Sequence, residues 1–382
     1  MKIAFLTPEY PHEKTGNAGG IGTSIKNLGR ALVQSGHKVH ILIYGQKQDQ
    51  VFKTDSIMIH QIRNLKLKGL SWYLTRKKIE SYINDLYSKQ KIDIVEAPDW
   101  TGITSFIRPK DCPVVIRLNG SDTYFCKLEN RTLKKKNYWH ERKALKNADG
   151  HISVSQYTAD KTNEFFDLSI KFQIIPNGID TAYFKPDKKA TTTPKQILYL
   201  GTLIRKKGLL DLAHIFNHVI KTEPEAQLVL VGSDASDITT GETSTWEIMK
   251  AIFSEQAFKN VKYLGKVPYE KVQQIIQDAD ICVFPSYAEA LPVSWLEAMA
   301  MEKAVVASSI GWGKEVIIHG ESGLLAHPSD HQQFAKHILY LFYYPKYKRQ
   351  LEKKARERAV NIFSNHVIAQ QSLSFYKRII NR

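Results

Sequence analysis

Cysteine is scarce in this 382-residue chain. Its three residues, Cys112, Cys126 and Cys282, lie far apart and lack the paired spacing of zinc ligands. The sequence therefore indicates neither a disulfide framework nor a zinc site. The thirteen histidines form no His-Glu-x-x-His motif, so we expect no bound metal.

Long apolar runs are also missing. No run approaches the ~20 residues that a membrane-spanning helix needs, although 43% of the residues are hydrophobic. The first eight residues have neither the length nor the cleavage site of a signal peptide and are typical of a β-strand. We therefore expect a cytoplasmic protein, and its length suits two domains of ordinary size.

Acidic residues are too few to balance the basic ones, which leaves a formal net charge of +16. Two interpretations stay open: a solvated basic face, or a patch that contacts an anionic membrane or an anionic acceptor. We expect no nucleic acid partner, because the aromatic residues are not interleaved with the cations as stacking platforms require. The excess is larger in the first half of the chain, at Arg63, Lys66, Lys68, Arg76, Lys77, Lys78, Lys127, Arg131, Lys134, Lys135, Lys136, Arg142, Lys143 and Lys146.

Short β-branched runs alternate with longer amphipathic stretches in the first half of the chain. This alternation predicts βα units and a parallel sheet. The expected strands are Lys2–Thr7, Val39–Tyr44, Ile57–Ile62, Ile92–Glu96, Val114–Leu118, Gly150–Val154 and Phe172–Ile175, with helices at Ile21–Ser35, Trp72–Lys89 and Tyr138–Asn147.

The alternation lapses into turn formers and then restarts, which predicts a linker followed by a second α/β domain. The expected strands there are Ile197–Leu200, Leu228–Val231, Val261–Tyr263, Ile281–Phe284 and Ala304–Ala307, with helices at Leu209–Lys221, Trp246–Phe258, Tyr269–Asp278 and Val293–Met301. We expect an N-terminal domain over residues 1–178, a linker over 179–195 and a C-terminal domain over 196–362. A final helix over 363–382 is expected to pack back on the first domain.

Glycines follow the first predicted strand at Gly16, Gly19, Gly20 and Gly22. They let the backbone approach a ligand, and the free N–H groups of the next helix favour an anion. The spacing is not Gly-x-Gly-x-x-Gly, and a plain flexible turn remains an alternative.

Three consecutive cations, Arg205, Lys206 and Lys207, lie between the first strand and first helix of the second domain. Cations this close repel one another unless an anion lies between them. A diphosphate would supply that charge, gripped by the planar Arg fork and the Lys point charge. An exposed basic turn is the alternative.

Two glutamates, Glu289 and Glu297, bracket a helix that follows the predicted strand Ile281–Phe284. Pro292 suits the first turn of that helix, whose free N–H groups can bind phosphate or a sugar oxygen. Each carboxylate can accept hydrogen bonds from a diol, Glu297 from a ribose and Glu289 from a transferred sugar. Either residue alone would be unremarkable, but the pair in this setting indicates a binding site.

This segment resembles the E-x7-E motif of retaining GT-B glycosyltransferases, family 4 in particular. Glu289 and Glu297 are separated by seven residues, and the flanking Phe-Pro-Ser and Glu-Ala-Met-Ala runs match the family pattern. Further matches at 19–20, 175–180, 201–208 and 312–325 extend the resemblance over nearly the whole chain. The resemblance implies an α/β GT-B fold, in which two doubly wound Rossmann-like domains face each other across a cleft and a helical tail follows.

The resemblance also implies a nucleoside diphosphate sugar as donor, retention of anomeric configuration and no metal cofactor. The acceptor would be a glycan or glycolipid of cell-envelope or polysaccharide synthesis, with the enzyme in the cytoplasm or peripheral on the inner face of the plasma membrane. Alternatives are another enzyme of the same fold, such as a nucleotide-sugar epimerase or a sugar-phosphate synthase, and a basic polyanion-binding protein.

Site residues follow from the same resemblance. Lys207 falls on the family's phosphate-binding Lys, whereas Thr202 stands at its Arg position, so Arg205 is the expected substitute. Asn119 stands where relatives often carry a His beside the reacting sugar, and its neutral amide cannot shuttle a proton. The expected catalytic residues are Glu289, Lys207, Arg205 and Asn119, and the expected donor-binding residues are Gly19, Gly20, Thr202, Arg205, Lys207, Leu291, Pro292, Val293 and Glu297.

One acidic pair is a decoy. Asp278 and Asp280 have the D-x-D spacing that metal-dependent sugar transferases of another fold use. They lie where a predicted helix ends and a buried strand begins, so we expect a structural role for them.

Overall fold

The computed structural model describes residues 1–16, 19–187 and 192–382, and these residues form two compact units. The first unit contains Met1–Gly178 and Asn365–Arg382, and the second contains Ile179–Ser364. The described part of the predicted linker is therefore grouped with the second unit, and the last helix with the first. Residues 188–191 of the predicted linker, like Asn17 and Ala18 of the glycine loop, lie outside the described residues.

The described residues of the first unit build an eight-stranded sheet in the order β3-β4-β2-β1-β5-β6-β7-β8. Every neighbouring pair is parallel except β3 with β4. The central strand β1 is buried along Ile3–Thr7, as expected for a strand covered on both faces. The strands are β1 Lys2–Thr7, β2 Lys38–Gln46, β3 Gln50–Thr54, β4 Ile57–Arg63, β5 Ile94–Pro98, β6 Val114–Leu118, β7 Gly150–Ser153 and β8 Gln173–Ile174.

Strand β3 was not predicted from the sequence. It is a half-exposed edge strand that pairs with β4 through a two-residue turn at Asp55 and Ser56. Both turn residues have positive φ, 47° and 64°, as a type I′ hairpin turn requires. Asp-Ser lacks the glycine that usually marks such a turn, so the residues here do not predict a hairpin.

Helices cover the sheet of the first unit, and the helix nearest the end of the chain is one of them. Its residues Ile368, Leu373 and Tyr376 join Ile3 and Phe5 in one buried cluster. The helices of this unit are α1 Gly20–Gln34, α2 Ser71–Ser88, α3 Asp122–Leu128, α4 Lys135–Asn147, α5 Gln156–Phe166 and, numbered in chain order, α14 Asn365–Ile380.

The second unit has a parallel sheet, with six strands among its described residues in the order β11-β10-β9-β12-β13-β14. Its strands are β9 Gln196–Leu200, β10 Gln227–Val231, β11 Val261–Tyr263, β12 Ile281–Phe284, β13 Ala304–Ser308 and β14 Leu324–Ala326. Its helices are α6 Leu209–Thr222, α7 Thr245–Ile252, α8 Glu255–Phe258, α9 Tyr269–Asp278, α10 Val293–Ala300, α11 Trp312–Val316, α12 His331–Tyr343 and α13 Pro345–Phe363.

The single helix predicted over Trp246–Phe258 is wrong. The structure divides it into α7 and α8, with Phe253 and Ser254 in extended conformation between them. The Ser254 side chain accepts a hydrogen bond from the backbone N–H of Ala257, and such a cap starts a new helix.

A buried ion pair ties α14 to the sheet of the first unit. Arg117 Nε lies 2.8 Å from Glu96 Oε1, and both side chains are almost fully buried. The Arg117 guanidinium also donates to Ser372 Oγ at 3.1 Å, and the Tyr376 hydroxyl donates to Glu96 Oε2 at 2.6 Å. The two helix residues therefore complete the hydrogen bonding of a buried charge pair that lies on neighbouring strands.

We expect Arg117→Met to destabilise the protein by about 3–5 kcal/mol, because it leaves the Glu96 carboxylate buried without its cation. Urea unfolding would measure the loss. The double variant Glu96→Gln/Arg117→Met removes both charges and should recover most of it. A double variant no more stable than Arg117→Met would contradict this account of the pair.

Candidate functional site

Two loops of the second unit pack against each other at the carboxyl ends of β9 and β12. The carbonyl of Lys206 accepts the backbone N–H of Tyr287 at 2.8 Å. Gly208 has a φ of +71°, and a Cβ there would lie 1.9 Å from the carbonyl oxygen of Pro285. Only glycine fits this contact, which brings the three cations of the first loop beside the Glu289 loop.

The paired loops bring Lys207 and Glu289 together. Lys207 Nζ lies 3.1 Å from Glu289 Oε1, and both side chains are mostly buried. The Ser286 hydroxyl lies 3.4 Å from the same carboxylate oxygen. An ammonium and a carboxylate held side by side can bind a phosphate oxygen and a sugar hydroxyl respectively.

Glu297 lies on α10, which starts directly after Pro292. Its side chain is almost fully buried, and the Tyr269 hydroxyl donates to Glu297 Oε1 at 3.1 Å. Burial raises the pKa of this carboxyl to about 7, against the lowering influence of the Tyr269 hydrogen bond and the Lys207 charge. Leu291 is also buried, so Leu291, Pro292 and Val293 form the tight entry into the helix.

In the first unit, Gly19 immediately precedes α1 and Gly20 is its first residue. The Glu9 carboxylate accepts the backbone N–H of Gly22 at 3.0 Å. A Cβ at Gly19 would lie 3.3 Å from the same oxygen of Glu9. One amide of the predicted anion-binding turn is thus already held by a carboxylate that the sequence analysis did not single out.

Asn119 directly follows β6, and hydrogen bonds hold both its backbone and its side chain. Its N–H donates to Asp99 Oδ1 at 2.9 Å, and its side-chain Nδ2 donates to the carbonyl of Arg117 at 3.2 Å. Asp99 is buried, which raises the pKa of its carboxyl to about 7. The sequence signal for Asp99 was its place directly after β5, at the ligand-binding edge of a parallel sheet.

The family model "Glycosyl transferases group 1" matches residues 181–358, and the model "Glycosyltransferase Family 4" matches residues 18–183. The chain belongs to glycosyltransferase family 4. The resemblance inferred from Glu289 and Glu297 is confirmed.

Relatives and solved structures agree with this assignment. The α-maltose-1-phosphate synthase of Mycolicibacterium smegmatis is 30% identical over 270 residues, which are 63% of this chain and 66% of that protein. The sucrose-phosphate synthase of Thermosynechococcus elongatus superposes with a TM-score of 0.80 at 21% identity, with 100% of both chains covered. Anabaena Alr3699/HepE, solved in complex with UDP and glucose, superposes with a TM-score of 0.74 at 20% identity and 99% coverage of both chains. The predicted GT-B fold with two Rossmann-like domains is confirmed.

Arg205 of this glycosyltransferase is engaged by a partner that sequence analysis missed. Its guanidinium makes two hydrogen bonds to the Asp237 carboxylate, at 2.8 Å and 2.6 Å. The Arg205 hydrogen bond also holds the pKa of Asp237 well below its usual range. A diphosphate would have to compete with this carboxylate for Arg205, while Thr202, at the family's Arg position, is exposed.

A hydrogen-bonded group of side chains that the sequence did not predict holds the Glu289 loop of the transferase. The Tyr287 hydroxyl donates to Asp211 Oδ1 at 3.0 Å, and His331 Nε2 lies 2.8 Å from the same oxygen. Asp211 is on α6 and His331 begins α12, so three elements meet at one carboxylate. No local sequence pattern joins residues 211, 287 and 331, because only the fold brings them together.

The acidic decoy has structural partners in the transferase, as expected. Asp280 pairs with Lys348 and accepts the backbone N–H of Lys195 at 3.1 Å, while Asp278 ends α9. Over residues 1–16, 19–187 and 192–382, no group of three or more His, Cys, Asp or Glu side chains could hold a metal ion. Within the same ranges, no helix is both long and apolar enough to cross a membrane.

Aromatic rings do lie among the cations of the first unit, contrary to the expectation from sequence. Trp72, Phe106 and Trp139 pack in a row, with ring centroids 5.4 Å and 5.6 Å apart. Lys143 Nζ lies 3.6 Å from the Phe106 centroid, and Lys136 Nζ lies 5.6 Å from that of Trp72. Trp72 lies within the basic segment 63–78 and Trp139 within the basic segment 127–146, whereas Phe106 is distant in the chain from both.

The raised pKa of Glu297 predicts a pH-dependent stability. The folded carboxyl holds its proton up to about pH 7, whereas the unfolded one loses it near 4.5, so its contribution is fully present below pH 4.5 and is lost as pH rises through 7. Glu297→Gln mimics the protonated form. We expect the melting temperature of Glu297→Gln, relative to that of wild type at the same pH, to be higher at pH 8 than at pH 5. The change corresponds to about 2–3 kcal/mol in the free energy of unfolding.

The exposed neighbour Glu270 offers a matched control, because Glu270→Gln removes a carboxyl from the same region without a burial effect. Melting curves of the three proteins at both pH values would measure the difference. An offset between Glu297→Gln and wild type that is the same at pH 5 and pH 8 would contradict the prediction.

Proposed function

We propose that this enzyme transfers a sugar from a nucleoside diphosphate sugar to a hydroxyl group of a glycan or glycolipid, with retention of anomeric configuration. The observation that carries the proposal is the Lys207–Glu289 pair, held between the loops after β9 and β12. The complex of HepE with UDP and glucose supports this choice of donor. Lys207 binds the diphosphate, Glu289 the transferred sugar and Glu297 the ribose hydroxyls.

To catalyse the transfer, the protein must stabilise the negative charge that develops on the diphosphate. Breaking the bond between sugar and phosphate leaves a diphosphate with growing charge, and fixed cations and amide dipoles stabilise it without reorganisation. Lys207 supplies the cation and the start of α10 supplies free N–H groups. Arg205 adds a second cation when it exchanges Asp237 for the diphosphate. We propose that no metal cofactor takes part, since the acidic D-x-D pair is engaged in structural contacts.

Asn119 contributes orientation in this scheme. Its amide binds a hydroxyl of the sugar or of the acceptor, and its backbone is held by the buried Asp99. A neutral amide does not take a proton, so the acceptor hydroxyl passes its proton elsewhere, to the departing diphosphate oxygen in a front-face attack. Gly19 and Gly20 bring the N-terminus of α1 to the same functional edge of the first unit.

A second chemical class is a candidate for the acceptor. Two of the similar proteins are named as an α-maltose-1-phosphate synthase and a sucrose-phosphate synthase. A sugar phosphate is therefore the alternative to a glycan or glycolipid of the cell envelope. Product analysis separates them, because a phosphorylated disaccharide is formed only in the second case.

We expect Lys207→Ala and Glu289→Ala each to lower the transfer rate by about 100-fold or more, because each removes a group that binds the reacting diphosphate or sugar. The donor is first identified by thermal shift with uridine and guanosine diphosphate sugars, since a bound donor raises the melting temperature. Release of nucleoside diphosphate then measures the rate. Lys262→Ala, at an exposed lysine of the same unit, is the control and should keep it. A wild-type rate in either site variant would remove that residue from the mechanism.

We also propose a peripheral contact between the first unit and an anionic membrane, on the cytoplasmic side. Leu67, Leu70 and Trp139 are each about half exposed, and lysines lie beside them in the sequence at Lys66, Lys68 and the run 134–136. Exposed apolar side chains with cations nearby suit a bilayer interface, where each cation contributes roughly 1 kcal/mol.

We expect Leu67→Ser/Leu70→Ser to weaken sedimentation of the protein with phosphatidylglycerol vesicles several-fold, because the apolar contribution to binding is removed. Ile238→Ser removes an apolar side chain of the second unit that is even more exposed, at 63%, and is the control. If wild type sediments as strongly with phosphatidylcholine vesicles as with phosphatidylglycerol vesicles, the result would count against a role for charge.

A further inference from the structure

A basic groove opens at the carboxyl ends of β2 and β4 in the first unit. Its volume is ≈ 690 Å³, and it is lined by Lys47, Arg63 and Lys66 together with Gln46, Asn64 and Leu65. The three cations are exposed. The sugar transfer proposed above assigns no role to this groove, although one of its cations, Lys66, also lies in the proposed membrane contact.

The charge of the groove is balanced only in part, because the Asp49 carboxylate interacts with the charge of Arg63. In the described part of the chain, the side chains of Lys47, Arg63 and Lys66 form no ion pair within 4 Å. The neighbouring carboxylate, Asp49, is held by Lys78 at 2.6 Å and accepts the backbone N–H of Arg63 at 2.9 Å. Between Asp55 and Glu80 the sequence contains no acidic residue. The groove therefore keeps a local positive charge.

Like charges gathered in one concave surface repel one another, and a low-dielectric wall strengthens the effect. An anion between them removes the repulsion. Phosphate and carboxylate oxygens match the planar donors of Arg and the point charge of Lys. The chemistry of the lining thus points to an anionic ligand.

The groove lies beside the functional edge of the first unit. Strands β1 and β2 are parallel neighbours, so the end of β2 adjoins the loop that leads to Gly19 and Gly20. Gln61, on β4, joins the two regions because its Nε2 donates to the carbonyl of Lys14 at 2.7 Å and to Gln46 Oε1 at 3.2 Å. A ligand in the groove can therefore be part of a molecule that extends along this edge.

We propose that the groove of Lys47, Arg63 and Lys66 binds an anionic group of the acceptor, a phosphate or a carboxylate carried by a glycan or by a lipid headgroup. The inference rests on the proposed function, because it names the chemical class of the acceptor. It also gives part of the excess positive charge a specific partner.

The first test measures binding of inorganic tripolyphosphate by isothermal titration at about 50 and about 300 mM sodium chloride. The groove variant is Lys47→Gln/Arg63→Gln/Lys66→Gln. The matched control, Lys336→Gln/Lys346→Gln/Lys353→Gln, removes the same charge from exposed positions of the second unit. Because tripolyphosphate can also enter the diphosphate site, every protein carries Lys207→Ala as well.

We expect salt-sensitive binding in the Lys207→Ala background, a loss of about tenfold or more in the groove variant and a change of less than about twofold in the control. Equal losses in both variants would show that only the overall charge matters and would overturn the proposal. Absence of binding once Lys207 is replaced would overturn it too.

A second arm distinguishes the source of the anion. Wild type, groove variant and control are sedimented with phosphatidylglycerol and with phosphatidylcholine vesicles. A groove-dependent loss with anionic vesicles supports a lipid headgroup, and a loss confined to tripolyphosphate supports a soluble anionic glycan. Thermal shift with the donor separates this inference from the proposed function. The groove variant, with Lys207 intact, should show the same donor-induced rise in melting temperature as wild type. If no donor raises the melting temperature of wild type, that result would count against the proposed function alone.

Discussion

The contact between residues 205–208 and the loop after β12 is the constraint on which the donor site depends. The Lys206 carbonyl accepts the N–H of Tyr287, and Gly208 admits the Pro285 carbonyl at a distance that no side chain would allow. Without this packing, Lys207 and Glu289 would belong to two independent loops. With it, a cation and a carboxylate from distant parts of the chain form one rigid pair, and Tyr287, Asp211 and His331 fix the pair from outside.

Buried carboxylates hold the loops around the predicted sites. Asp99 holds the backbone of Asn119, Glu141 accepts the backbone N–H groups of Thr101 and Asp122, and Glu297 takes the Tyr269 hydroxyl. Burial raises the pKa of each, to about 7 for Asp99 and Glu297 and to about 6 for Glu141. Asp99 and Glu141 are costly to ionise where they lie, and their hydrogen bonds order irregular backbone at the edge of the sheet.

The sequence predicted what depends on local pattern. The parallel strands and the helix after Pro292 are confirmed, because hydrophobic alternation and helix-start signals are short-range. The hydrogen-bond partners of the site residues were not predicted. Asp237 on Arg205, Glu9 at the start of α1 and Tyr269 on Glu297 are separated from their partners by more than ten residues, and only tertiary packing selects them. The missed hairpin at Asp55 and Ser56 and the break at Ser254 show that turn chemistry without glycine or proline is hard to recognise.

The position of α14 has a consequence for the order of folding. Ile368, Leu373 and Tyr376 belong to the same buried cluster as Ile3 and Phe5, and Tyr376 completes the hydrogen bonding of Glu96. During synthesis α14 is the last helix to be made, so the first unit lacks part of its core until the end of the chain leaves the ribosome. The sheet that is made first therefore depends on the segment that is made last.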